Sequence, residues 1–108
     1  MSGSDSSIKR SAGGGPGGPA DCAIVFETTL ASPDPRVIDD LGSSEILDVV
    51  SVEEPIRGVV AVVINGPTVG AITQQIIALR RCIELGNQYE AEVLHREGGS
   101  VRVQVRPR

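Results

Sequence analysis

Few side chains in this 108-residue sequence are capable of chemistry, and their spacing limits what they can do. Adjacent carboxylates occur at Asp39-Asp40 and Glu53-Glu54, with Glu45 and Asp48 between them. Neighbours on a strand or turn point apart, so neither pair makes a general acid/base dyad by itself. The single histidine, His95, falls late in an alternating stretch, on the side expected to face the core. That position reads as structural rather than catalytic. Cys22 and Cys82 lie far apart, with no C-x-x-C and no histidine at ligand spacing, which argues against zinc. Each falls in an apolar element, where a free, reduced cysteine behaves as a small hydrophobe. There is no G-x-S-x-G, P-loop or H-E-x-x-H motif. Gly98-Gly99 reads as a hairpin turn, with no following helix to supply amides to a phosphate. The expectation is a protein without catalytic residues, metal or cofactor; a small metal-dependent hydrolase built on the acidic residues is a remote alternative.

Arginine is the other chemical resource. The net charge is −4, but residues 1–58 carry four basic and ten acidic side chains, whereas residues 59–108 carry six Arg and four Glu. Arginine suits bidentate contacts with carboxylate or phosphate. Arg96, Arg102, Arg106 and Arg108 are therefore candidates for a small anion-facing patch, and a solvated outer strand face is the plainer reading. Thr73 reads as a helix N-cap, and its free amides add a candidate anion site to the patch. With one Phe, one Tyr and no Trp, the chain has little of the stacking platform that single-strand nucleic-acid binders use.

The elements that must position these residues are legible in the hydrophobic pattern. Val59 to Ile64 is six apolar residues in a row, five of them β-branched, and predicts a central strand covered on both faces. Asn65-Gly66 predicts a hairpin into a short strand around 68–71. Ile72, Ile76, Leu79 and Ile83 share one helical face with Cys82 at its edge, Gly86 ends that helix, and Ile77 and Leu85 fall outside the stripe. From Tyr89 the period is two, and Val101, Val103 and Val105 alternate with Arg102, Gln104 and Arg106.

Earlier in the chain, residues 1–20 read as a flexible Gly/Pro/Ser-rich tail, and residues 21–108 as one domain. Cys22 to Leu30 predicts the first strand. Pro35 opens a helical turn over 36–41 capped by Asp34, and Ile46 to Val52 predicts the second strand. The order is mainly β, and a small OB-like or SH3-like, partly open antiparallel barrel with one helix against it fits best. An α+β sheet with the helix on one face is second. Strands 23–30 and 101–105 are candidate open edges for pairing between chains. The longest apolar run is six residues, no apolar signal-peptide core follows Met1 to Asp5, and a reduced, cytoplasmic protein is expected.

The run from Leu41 to Val105 resembles the HIRAN family. The features that carry the resemblance are Leu41-Gly42-Ser43-Ser44-Glu45-Ile46-Leu47-Asp48, the valine-rich strand, Gly66 with Val69-Gly70, a helix ending at Gly86, and Tyr89-Glu90-Ala91-Glu92-Val93. Glu53 to Gly58 replaces the Asn/Asp-Pro-Asn-Ala type segment of that family. The resemblance implies an OB-like barrel and binding of single-stranded DNA ends, and it assigns no binding residue here. Composition and pattern favour a different first expectation, a non-enzymatic accessory module engaging a protein partner or a second copy of itself.

Overall fold

The computed structural model describes residues 20–54 and 56–108; the tail expected over residues 1–20 lies outside the described residues, save Ala20. The described chain is mostly β. A 3-10 turn (Ala20–Cys22) leads to β1 (Phe26–Thr29), α1 (Pro35–Ile38), β2 (Ile46–Val52), β3 (Gly58–Val63), β4 (Thr68–Ile72), α2 (Ile76–Glu84), β5 (Tyr89–Glu97) and β6 (Ser100–Pro107). The six strands form one antiparallel sheet in the order β1-β6-β5-β2-β3-β4, curled into a half-barrel with α2 packed against it.

The curl brings the two ends of that order together. Beyond β1 the chain reaches β4, where Ala31 and Ala71 pair and the Asp34 amide donates to the Val69 carbonyl at 2.9 Å. Gly70 permits the approach, because a Cβ there would stand 3.0 Å from the Leu30 Cβ and 3.1 Å from the Ala31 carbonyl oxygen. Strand β6, expected as an open edge, is interior, lying between β1 and β5. Strand β1 is the edge on that side, and β4 is the edge on the other. Sequence proximity places β6 beside β5 through the 98–99 turn, but it does not reveal that β1 covers the other side.

Period-two patterning sets the core. Val101, Val103 and Val105 turn inward, as do Tyr89, Ala91 and Val93 opposite them. In the segment leading through β1, Cys22, Ile24, Thr28 and Leu30 are buried while Ala23, Val25, Glu27 and Thr29 are exposed, although pairing begins only at Phe26. Val59 and Ala61 of β3 are fully buried, and Val60 and Val62 on its other face are half-buried rather than covered. The β3–β4 hairpin forms as expected, with Asn65 left-handed at φ 60°.

Both helices start from readable signals, one of them at a different residue. At α1, Asp34 caps the turn by accepting from the Arg36 amide at 3.0 Å, and Pro35 occupies the first helical position. Helix α2 starts at Ile76, not at Thr73. Ile72 is still paired to Val59 in β4, and Gln75 takes a left-handed conformation (φ 56°, ψ 29°) that no helix continues through. Thr73 is exposed and caps nothing. Leu79 and Cys82 point into the barrel and are fully buried. At the other end Gly86 is left-handed (φ 103°), the Gly86 amide donates to Ile83 and the Asn87 amide to Cys82, which closes α2.

Candidate binding surface

The arginines proposed as an anion patch are already matched by carboxylates. On the outer face of the sheet, Arg106 Nε lies 2.9 Å from Glu90 and its Nη1 2.5 Å from Glu92. These two carboxylates raise the Arg106 pKa, Glu92 most. Arg108 pairs with Asp48 and reaches Glu90 at 3.5 Å, and its pKa is likewise raised, chiefly by Asp48. Arg102 donates to Thr29 Oγ1 at 3.2 Å and lies 3.9 Å from Glu27. Three arginines thus face four carboxylates, a neutral-to-acidic face with no surplus of positive charge. Arg96 does not join them, since its guanidinium donates to the Ile38 carbonyl at the end of α1. Thr73 lies elsewhere as well, between β4 and α2.

The other candidates are equally dispersed. A register shift between Val93 and His95 turns His95 outward, where its Nε2 lies 3.1 Å from Glu97; the bulge overturns the core-facing position expected from strict alternation. Among the described residues, no three His, Cys, Asp or Glu side chains come together to hold a metal ion. An open hollow of about 510 Å³ beside α1 is bordered by Asp34 and Glu45, whose carboxylates are engaged with the Arg36 and Gly42 amides.

The cysteines are not free. Cys22 and Cys82 form a disulfide, with Cα atoms 5.6 Å apart, that ties the 3-10 turn to α2. Two further contacts reinforce the tie. The buried Tyr89 hydroxyl donates to the Cys22 carbonyl, and Arg81 pairs with Asp21. Burial, and secondarily the Asp21 charge, raise the Tyr89 pKa. The pairing was invisible to motif logic, which looks for short spacings. The available signal was that both cysteines sit on buried positions of apolar-patterned elements.

A second clamp holds the opposite flank of α2. Arg80 donates to the Val52 and Gly58 carbonyls, at 3.0 Å each, and to Glu53 at 2.7 Å. Glu53 also takes Arg57 at 3.1 Å. These arginines, with the Arg80 hydrogen bond dominant, hold the Glu53 carboxyl below its usual range. The clamp fixes the β2–β3 loop against the helix.

On its outer face α2 turns two large apolar side chains to solvent. Ile77 is 84% exposed and Leu85, eight residues on, is 52% exposed, with Arg81 between them on the same face. Ile56, on the loop held by Arg80, is 78% exposed. The helical period of the sequence sets Ile77 and Leu85 off the buried stripe, whereas the loop residue Ile56 belongs to no period.

Comparison with protein-family models, with curated proteins and with solved structures finds no match to this chain. No helix among the described residues is long and apolar enough to cross a membrane.

Proposed function

We propose that the protein is a non-enzymatic module that binds a protein partner through the outer face of α2. One observation carries this reading: Ile77, the most exposed of the large hydrophobic residues among those described, stands on a helix anchored on both flanks. Isolated exposed apolar residues are ordinary, but two of them one above the other on a rigidly held helix make a surface that a helix or strand of another protein covers. Helix α2 is held by a disulfide and by the Arg80 bonds, so partner binding costs little ordering entropy.

The buried disulfide supports an oxidising setting over the reduced cytoplasm expected from the sequence, because glutathione and thioredoxin keep cytosolic thiols reduced. Binding of single-stranded DNA, implied by the HIRAN resemblance, has the curled β-sheet in its favour. The pairing of Arg102, Arg106 and Arg108 with carboxylates weighs against it, since phosphate affinity rests on unneutralised cations.

The test is selection of displayed protein fragments from the source genome against the oxidised protein. Enriched fragments should bind at least about tenfold more weakly to Ile77→Asp/Leu85→Asp, the loss expected for removing a buried apolar anchor. Equal binding to that double variant would refute the reading.

A further inference from the structure

We infer that the open edge of β1 accepts an extended strand of the partner, with a basic residue set opposite Glu27. The inference rests on the protein-partner reading and specifies the partner's chemistry.

The backbone sets the direction of the free groups. In an antiparallel ladder the amide and carbonyl of one residue point to the same side, and successive residues alternate. The Leu30 amide donates to Val101 of β6, at 2.9 Å, and Ala31 exchanges both bonds with Ala71 of β4. Thr28 and Phe26 therefore face β6, while Thr29 and Glu27 face away from it. Among the described residues no backbone group pairs with the outward amides and carbonyls of Glu27 and Thr29.

The seam stays open for a structural reason. Continuing the Ala31–Ala71 register would set Thr29 across from Thr73 and Glu27 across from Gln75. At that point the chain leaves β4, passes through the left-handed Gln75 and enters α2. It cannot complete the barrel. A row of unpaired donors and acceptors remains, flanked by Val25 (58% exposed) on the β1 side and by the start of α2, which carries Ile77, on the other. Such an edge is a template for an added strand.

Charge selects the occupant. The symmetric self-pairing that uses Val25, Glu27 and Thr29 together is centred on Glu27 and places two carboxylates directly opposite, which disfavours a second copy. Glu27 is exposed, and its nearest cation, Arg102, stands 3.9 Å away on the β6 side. A foreign strand with Lys or Arg opposite Glu27 and a β-branched residue opposite Val25 satisfies both side chains and backbone.

The experiment uses the oxidised full chain and two end-capped peptides, Thr-Val-Thr-Lys-Thr-Val-Thr and its counterpart with Glu in place of Lys, followed by amide NMR and hydrogen exchange. The Lys peptide should slow exchange at the Glu27 and Thr29 amides and bind more tightly than the Glu peptide. Glu27→Lys should reverse that preference by about fivefold to tenfold. Thr29→Pro removes an outward N–H without touching the β6 ladder, and should abolish binding. Unchanged exchange at Glu27 and Thr29, or no reversal in Glu27→Lys, overturns the inference. A dimer in light scattering that Thr29→Pro dissociates overturns it in favour of a second copy. Fragments that depend on Ile77 but leave β1 untouched would sink this strand mode and leave the α2 reading standing; fragments indifferent to Ile77 would sink both.

Discussion

Ala31 and Ala71 exchange both backbone hydrogen bonds, at 2.8 and 2.9 Å, and so join the two ends of the strand order. On one side of this pair β1 and β4 part without pairing. Toward Asp34 the edges are sealed by the bond to Val69; toward Phe26 they part, and α2 leaves from the gap.

The closure depends on Gly70. Alanine there meets Leu30 and the Ala31 carbonyl at 3.0–3.1 Å, a backbone contact that has little room to yield. Gly70→Ala should cost about 1–3 kcal/mol, the usual range for overpacking. Urea unfolding checks the loss, and faster exchange of the Ala31 and Ala71 amides would assign it to the closure.

Removing the disulfide should cost about 2–4 kcal/mol, because it closes a loop spanning a separation of 60 residues in the unfolded chain. Cys22→Ser/Cys82→Ser should melt well below the oxidised protein. A reductant should lower the wild-type melting temperature towards that of the variant and leave the variant unmoved.

Tyr89 is the only tyrosine, and there is no tryptophan, so its phenol can be titrated directly by absorbance. Burial raises its pKa, so ionisation should begin above the ordinary tyrosine value of about 10. The sign follows from linkage. The stability from this group is fully present below the unfolded pKa and is lost as pH rises through the folded one. In denaturant the titration should fall back to the ordinary value. Tyr89→Phe should cost about 1 kcal/mol, through the unpaired Cys22 carbonyl.

Arg80 satisfies two main-chain carbonyls that no other side chain serves among the described residues. Arg80→Met should destabilise by about 1–3 kcal/mol, the loss of charge-assisted hydrogen bonds to those carbonyls. Glu53 should move up towards the ordinary glutamate range in that variant, with Arg57 still holding it down in part, as read by carboxyl NMR. In the wild type its depressed pKa stabilises above the unfolded value, and that contribution is lost as pH falls through the folded one.

Local signals in the sequence carried most of the architecture. The run Ile46 to Val52 is β2 residue for residue, the alternating valines of β6 bury as a set, and Asp34-Pro35 caps and opens α1 as its chemistry requires. What escaped was set by tertiary structure. Gln75 adopts a left-handed backbone that its residue type does not announce, which moves the start of α2 away from Thr73. The bulge after Val93 inverts His95. Strand order decides that β1 rather than β6 is the edge, and only folding brings Cys22 to Cys82.

The arginines show the same limit. Arg102 and Arg106 alternate outward as the pattern predicts. Their partners Glu27, Glu90 and Glu92 arrive on neighbouring strands, so the charge of the face is a property of the register and not of β6 alone.

The most direct test is an amide NMR titration of the oxidised protein with a selected partner fragment, run beside one with single-stranded DNA at low salt. Partner binding through α2 predicts shifts centred on Ile77, Leu85 and Ile56 with the fragment, and a silent spectrum with DNA. Shifts centred on Arg102 and Arg106 with DNA, vanishing as salt is added, would contradict it.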